Sequence, residues 1–408
     1  AHYLEFQAMR FRDITFRGQT IVPLDEIRRL FYEDYSYLPL VKRLQKMRIR
    51  MYYRIRPAWH QRLRELQEEL LGSPEYGNKV KAYSRLFVYR EFKEVRKEIE
   101  DMLQFDVFRA FTDLFSDTDL FVSLAGENLP EHYREICRDA ADRFPRRILG
   151  YEDISAFVYL KGILEGVPQM SRIRHVVVDE AQDYTPVQYG ILKQLFPGTR
   201  MTLLGDFNQV IHPLKGTFQY RTVTDILKPD SQAILRMTKG YRSTADIVNF
   251  TRSVLIGEQQ IESIQRHGEK PRLYRAAEER ELTDRMVEDV GVLLEDGMES
   301  VGIICKTAEK SKRLHEAIKK RLHASLLTRD DVNFSKGIVV LPVYLAKGLE
   351  FDAAIVYGAD ADTYGPEKDR RLFYTACTRA LHRLHLFCCG EISPFIRNVP
   401  DEYYTIYS

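Results

Sequence analysis

Val176-Val177-Val178-Asp179-Glu180-Ala181-Gln182-Asp183 sets adjacent carboxylates at the end of an apolar run. A buried strand that ends in acids delivers them to the sheet edge where open α/β folds bind ligands. There Asp179 can hold Mg²⁺ through water, and Glu180 can orient and deprotonate an attacking water. Nucleotide hydrolysis needs that division of labour, since positioning and charge neutralisation supply most of its catalysis. An Asp-Glu pair alone reads more readily as a solvated strand end. Further runs add to it. Leu204-Gly205-Asp206-Phe207-Asn208-Gln209 again closes an apolar run with a polar loop, where Gly205 permits a tight turn and Gln209 can sense a terminal phosphate. Lys239-Gly240-Tyr241-Arg242-Ser243 opens a helix that Ser243 is expected to cap. Tyr241 offers a stacking face and Arg242 a bidentate fork for phosphate. Ala346-Lys347-Gly348-Leu349-Glu350-Phe351 precedes a strand at Ala353, and Arg370 to Ala380 is expected to be a helix carrying Arg379. Each piece alone is weak, because a lone Arg on a helix is usually a surface residue.

In this order and spacing the pieces resemble the motor motifs of superfamily 1 helicases of the UvrD/Rep type. Motif II is similar to Asp179-Glu180-Ala181-Gln182-Asp183, motif III to Gly205-Asp206-Phe207-Asn208-Gln209, and motif IV to Tyr241-Arg242-Ser243. Motif V is similar to Lys347-Gly348-Leu349-Glu350-Phe351 and motif VI to Thr378-Arg379-Ala380. The resemblance spans residues of about 150 to 390. It implies ATP and Mg²⁺ as cofactors, with Asp179 on the metal, Glu180 as base and Gln209 reading the γ-phosphate. It further implies Tyr241 stacked on adenine, Glu350 at the ribose, Gln182 and Gly348 at the nucleotide, and Arg242 and Arg379 clamping the γ-phosphate.

Three stretches depart from the family pattern. Pro342 and Tyr344 stand where motif V has Thr and His, and Ile211-His212-Pro213 stands where motif III continues with an aromatic that stacks on a DNA base. Both changes fall where such helicases grip single-stranded DNA, not where they grip ATP. The third departure is larger. A phosphate loop needs Gly-Lys followed by Ser or Thr, and the dipeptide Gly-Lys occurs nowhere in the chain. With no Met at its start, the sequence is expected to be the C-terminal part of a longer motor, and to be inactive as an ATPase by itself.

The elements that must position these residues differ along the 408-residue chain. From about 25 to 147, apolar residues recur at three and four, as in Leu63, Leu66, Leu70 and Leu71, and in Phe105, Phe108, Phe111 and Phe115. That is helical periodicity, broken at Gly72-Ser73-Pro74 and Gly77-Asn78. From Arg174 short apolar runs alternate with helical stretches: His175–Val178, Met201–Leu204, Val301–Cys305, Gly337–Leu341, Ala353–Tyr357 and Leu384–Cys388. Such runs indicate parallel strands buried on both faces. A polar pause near Gly257, Gly268 and Pro271 marks a boundary. The expectation is an α/β chain with two RecA-like (P-loop NTPase) domains, the first incomplete, and an N-terminal mostly helical arm. It assigns 1–147 to the arm, 148–255 to the remainder of the first domain and 256–408 to the second.

Composition excludes other classes. Hydrophobic residues are 44% and charged residues 29%, as in ordinary globular chains, and no apolar run is long enough to span a membrane. The first residues lack the basic and apolar regions of a signal peptide. The five cysteines form no Cys-x-x-Cys pair, which fits buried free thiols in a reducing cytosol better than zinc or disulfides. His60, His175, His212, His382 and His385 show no metal-ligand spacing.

Net charge is only +2 but segregated. From Lys42 to Arg64 there are nine bases and no acid, with Tyr52, Tyr53 and Trp59 interleaved. From Asp101 to Asp142 there are ten acids against three bases. Bases with aromatics suit a phosphate backbone or an acidic protein groove, and Arg48, Arg50, Arg54 and Arg56 are the expected contacts. A solvated helical face is the even alternative. Asp113, Asp117 and Asp119 carry a lesser reading, as mimics of nucleic acid. The helical block ahead of motif II, with Tyr184-Thr185-Pro186-Val187-Gln188-Tyr189 after it, resembles the HelD branch of the superfamily. Those proteins act on bacterial RNA polymerase and use ATP to free it from nucleic acid, through an arm reaching into the main channel. The resemblance implies polymerase and DNA or other nucleic acid as partners. A true DNA helicase or translocase, and an interaction module without turnover, stay open as alternatives.

Overall fold

The structure is a computed structural model that describes residues 10–71, 75–126, 129–206, 209, 220–255, 262–263, 266–328 and 337–407. Gly72-Ser73-Pro74, Phe207-Asn208, Ile211-His212-Pro213 and Gly257 lie outside the described residues. The chain divides into two compact units, Ala1–Val176 with Pro186–Arg200, and Val177–Thr185 with Met201–Ser408.

The first unit opens with a hairpin that periodicity did not reveal. Strands β1 (Ile14–Phe16) and β2 (Gln19–Val22) pair antiparallel. Arg17 and Gly18 both take positive φ, 50° and 78°, which matches the twist of a two-residue turn. Helices follow: α1 (Leu40–Arg54), α2 (Arg56–Leu71), α3 (Val80–Leu103), α4 (Val107–Ser116), α5 (Tyr133–Arg143) and α6 (Tyr151–Glu165). Helix α3 buries Ser84, Val88, Phe92, Val95, Ile99 and Leu103 at three-four spacing against Ile14, Val22, Met47 and Met51. Asp106 caps α4 by accepting from the Phe108 and Arg109 amides at 2.9 and 3.1 Å. The phenylalanine ladder packs as its spacing predicts. Phe111 is buried, with Phe115, Phe144 and Phe157 against its ring. Asp117, read as a nucleic-acid mimic, caps the next helix through the Leu120 amide at 3.0 Å.

Three of the nine bases of the run pair with acids of their own unit. Arg43 is buried, donates to the Ser36 and Leu38 carbonyls at 2.9 and 3.0 Å, and lies over the Phe31 ring. Arg48 pairs with Glu100 at 3.0 Å and Arg54 with Glu26 at 2.5 Å. Arg50 and Arg56 stack on Tyr53, 5.7 and 5.6 Å from the ring centroid. The run was read as charge awaiting a partner, and Glu26, Glu91 and Glu100, which answer part of it, come from other helices. Arg62 is 5% exposed and pairs with Glu65, Glu69 and Glu91 at 3.2, 2.7 and 3.0 Å. Those pairs hold its guanidinium well above the ordinary arginine range. Arg62→Met leaves three carboxylates facing one another, two of them on an exposed rim. The expected cost is about 1–3 kcal/mol, read as a lower unfolding midpoint. An unchanged midpoint would show the cluster to be ornamental.

Strand β3 (His175–Val178), α7 (Pro186–Leu195) and β4 (Arg200–Leu203) come next. The Leu204 amide donates to the Val178 carbonyl at 2.8 Å. These two runs are strands as expected, but they are not buried on both faces. They form a two-stranded sheet, and Val177 is 62% exposed.

The second unit is built on seven parallel strands. Short β5 (Lys239–Gly240) and β6 (Glu262–Ser263) pair apart from them, with α8 (Ala245–Val254) between. Then come β7 (Arg272–Ala276), α9 (Glu279–Glu295), β8 (Ser300–Cys305), α10 (Ala308–Ile318), β9 (Ala324–Leu326) and β10 (Gly337–Pro342). A short α11 (Val343–Ala346), β11 (Phe351–Tyr357), α12 (Arg370–Cys377), β12 (Ala380–Cys389) and β13 (Thr405–Tyr407) complete it. The sheet order is β13-β7-β12-β11-β8-β10-β9. Its central strands carry Val, Ile and Leu on both faces, because helices cover both. Cys137, Cys305, Cys377 and Cys388 are buried free thiols and Cys389 is half-buried. No described helix is long and apolar enough to cross a membrane.

Candidate active site

The second unit gathers residues from five stretches of sequence. Val178 ends β3, and the chain turns sharply at Glu180, whose φ of 49° and ψ of 40° lie in the left-handed region. A non-glycine residue held there stores of order 1–3 kcal/mol. The turn exposes Asp179, whose Oδ1 accepts from the Glu180 amide at 2.8 Å.

Gln182 is fully buried beneath them. Its Nε2 donates to Glu180 Oε2 at 2.6 Å, and its Oε1 accepts from the Asp206 amide at 3.1 Å. Both ends of the amide are thus spent on bracing one loop against the next. Gln182, expected at the nucleotide, contacts Glu180 and the Asp206 amide. Gly205 is needed for that approach rather than for a turn. A Cβ there would sit 2.4 Å from Gln182 Oε1 and 3.2 Å from the Gln182 amide. Gly205→Ala is therefore expected to cost about 1–3 kcal/mol, as overpacking does, measured by thermal unfolding. A variant as stable as the parent would show that the loops separate freely.

Lys347, just after α11, is 9% exposed. Its Nζ reaches Asp183 Oδ2 at 2.6 Å, Glu180 Oε2 at 3.3 Å and the Gln209 carbonyl at 3.2 Å. Gly348 beside it has φ 82°, which a side chain would strain. Gln209 donates from Nε2 to Asp206 Oδ2 at 2.9 Å and accepts at Oε1 from Arg379 Nη2 at 2.8 Å.

Arg379 follows α12 instead of lying on it, and it is 1% exposed. It donates to the Thr375 carbonyl, the Leu349 carbonyl and Thr378 Oγ1 at 3.1, 3.3 and 3.2 Å. All four acceptors are neutral, and no carboxylate of the described residues pairs with it. Burial, and then the neighbouring Arg242, lower its pKa from the ordinary value. Arg242 itself is more than half exposed and pairs with Glu350 at 2.5 Å. Tyr241 is 67% exposed. Ser243 does not cap α8, since Thr244 occupies that position; the Ser243 hydroxyl donates to the Ala380 carbonyl at 2.6 Å.

One loop system in the second unit thus contains Asp179, Glu180, Gln209, Arg242, Glu350 and Arg379. Lys347, Asp183 and Asp206 stood in the quoted motifs without a role of their own, and their contacts in the fold give them one. Arg48, Arg50, Arg54 and Arg56 belong to the other unit. Pro342 ends β10 and precedes α11, with Tyr344 half-buried inside that helix. Chemically the loops present carboxylates at a strand end and a buried guanidinium that no carboxylate touches, with Glu180 and Glu350 acting on it only through charge. Among the described residues no group of three or more His, Cys, Asp or Glu converges on a metal. A single carboxylate fits magnesium, which keeps most of its waters and takes the rest of its shell from phosphates.

Residues 148–220 match the UvrD/REP helicase N-terminal domain family, and residues 337–387 match the UvrD-like helicase C-terminal domain family. ATP-dependent DNA helicase UvrD1 of Mycobacterium leprae is 26% identical over 205 residues, which cover 46% of this chain and 24% of that protein. A probable DNA helicase of Mycoplasma pneumoniae is 26% identical over 239 residues, 52% of this chain and 43% of that protein. A solved C-terminal domain of a possible DNA helicase from Lactobacillus plantarum is 32% identical, with a TM-score of 0.37; the match covers 41% of this chain and 99% of that one. The chain spans about a quarter of the length of the UvrD1 relative.

Proposed function

We propose, for a chain that carries UvrD-like helicase N- and C-terminal domain sequence, that its second unit is the nucleotide-responsive part of an ATP-driven superfamily 1 motor. The observation that carries this is Arg379: a fully buried guanidinium with neutral acceptors alone is poised for an incoming anion. In this reading Asp179 holds Mg²⁺ through water, and Glu180 takes the proton of the attacking water. Gln209, Arg242 and Arg379 meet the γ-phosphate, Tyr241 stacks on the adenine, and Glu350 meets the ribose at the turn that Gly348 makes. Gln182 fixes Glu180 from behind. Bound magnesium supplies charge neutralisation at the phosphates.

The chain contains no Gly-Lys pair, so we place the phosphate-binding loop in sequence beyond it. The chain alone is then expected to release no phosphate from ATP above background. Steady-state phosphate release, with and without single-stranded DNA, checks this. Turnover by the chain alone that Glu180→Gln abolishes would overturn it.

For the motor's target we propose the HelD type, a protein that frees bacterial RNA polymerase from nucleic acid. The supporting feature is the helical unit preceding the Asp179-Glu180 strand. The second reading is a DNA helicase or translocase, favoured by the names of the relatives. Capture of core RNA polymerase by the motor, with ATP turnover indifferent to DNA, supports the first. Turnover driven by single-stranded DNA without polymerase capture supports the second.

A further inference from the structure

Helix α3 engages three of its five acids in pairs with other elements and leaves Glu94 and Asp101 exposed. Glu91 is held by Arg62 and Arg17, Glu98 by Arg12, and Glu100 by Arg48 and Tyr52. Away from those pairs, Tyr83, Leu86, Arg90, Lys93 and Lys97 follow one another at three-four-three-four spacing. That spacing keeps all five on one side of a helix, and all five are exposed. Arg90, Lys93 and Lys97 make no ion pair or hydrogen bond with any described residue, unlike Arg43, Arg48, Arg54 and Arg62 of the earlier run. Glu94, four residues after Arg90 and three before Lys97, is an exposed acid within the same face.

The aromatic rings on this surface are set rather than loose. Tyr83 is braced edge-on by Tyr76 at 5.1 Å. Tyr89, 55% exposed, carries the Arg96 guanidinium 5.1 Å from its centroid. Rings with open faces beside unpaired bases are what a single strand requires, since every nucleobase has a face to stack and every linkage a phosphate to neutralise. An acidic protein surface would use the bases but has no need of the rings.

We propose that this face of α3 binds single-stranded nucleic acid, with nucleobases stacked on Tyr83 and Tyr89 and phosphates held by Arg90, Lys93 and Lys97. It is separate from the nucleotide site and does not depend on the reading given to that site.

The test uses the whole chain and a labelled single-stranded oligothymidylate. Acetylation of surface lysines, read by mass spectrometry with and without the oligonucleotide, should show protection of Lys93 and Lys97 several-fold greater than that of Lys320, an exposed lysine of the other unit. Replacing Arg90, Lys93 and Lys97 together by Ser should weaken binding at least about tenfold at low salt. It should also flatten the log–log salt slope by roughly two, at about 0.7 per lost contact. Tyr83→Ser with Tyr89→Ser should weaken binding by about tenfold or more and leave that slope unchanged. All these side chains are exposed, so unfolding midpoints should not move. Should a combined variant melt early, Lys93→Ser and Tyr89→Ser singly carry the same comparison. Equal acetylation of Lys93, Lys97 and Lys320 in the presence of the oligonucleotide overturns the proposal. So does wild-type affinity and slope in the triple variant. Weakening by the charge variant without weakening by the tyrosine variant also overturns it, and assigns the face to acidic protein or to any polyanion.

Discussion

Replacing Arg379 by Ala, in a protein that joins this chain to a phosphate-binding loop, should lower ATP turnover by about 10³–10⁵-fold, the range in which arginines that meet a transferring phosphoryl group act. The argument begins with burial. Arg379 is 1% exposed, yet it touches two carbonyls, one hydroxyl and one amide oxygen, and no carboxylate. Taking a guanidinium out of water without a directly bonded counter-charge is costly, and burial, then Arg242, lower its pKa although the charges of Glu180 and Glu350 act the other way. A γ-phosphate would supply the missing charge, most strongly as negative charge builds in the transition state. Arg379→Lys should rescue little, because an ammonium cannot reproduce the planar fork. Arg379→Ala also leaves buried acceptors without donors, so its unfolding midpoint should fall somewhat. For that reason the lysine variant is the decisive one. A nucleotide affinity near wild type with turnover down by decades supports the assignment. Near-wild-type turnover in Arg379→Lys removes it.

What was legible in the sequence divides along physical lines. The runs at 301–305, 337–341, 353–357 and 384–388 became central strands because helices bury both faces, which leaves an unbroken apolar signature. Strand β13 is three exposed residues at a sheet edge, and β1 and β2 together are seven residues; none carries enough pattern to be seen. The motif residues were legible by type and order, whereas their mutual bracing was not. Lys347 and Asp183 lie 164 positions apart, so nothing local announces that Lys347 holds Asp183 and Glu180. Arg379 was expected on a helix reaching Ala380, three residues past the true end of α12 at Cys377. The basic run misled in the opposite way. Arg48, Arg54 and Arg62 find Glu100, Glu26 and Glu91 at separations of 52, 28 and 29 residues. A linear count of charge cannot register neutralisation by a helix elsewhere in the chain. The same packing explains why the outer face of α3, whose acids alternate with its bases in sequence, showed no segregation until the helix was wound.

Glu180→Gln, in the same joined protein, should lower turnover by about 10²–10⁴-fold, the usual contribution of a positioned general base. The substitution is nearly isosteric, which matters at a residue with φ 49°, where a larger change would disturb the strained turn itself. Glu180 Oε2 receives Gln182 Nε2 at 2.6 Å and lies 3.3 Å from Lys347 Nζ. Two donors thus hold one oxygen of the carboxylate, and no described donor is bonded to the other. An amide in its place can still accept from Gln182 but cannot take a proton from water. Asp179, Gln209, Arg242 and Arg379 are untouched, so magnesium-nucleotide affinity should stay within a few-fold of wild type while product formation collapses. Rapid-quench measurement of a single turnover separates the chemical step from product release. A normal single-turnover rate in Glu180→Gln would assign the base to another group, with Asp183 and Asp206 next in proximity. A collapsed rate with bound, unhydrolysed ATP would fix Glu180 as the group that makes the attacking water a nucleophile.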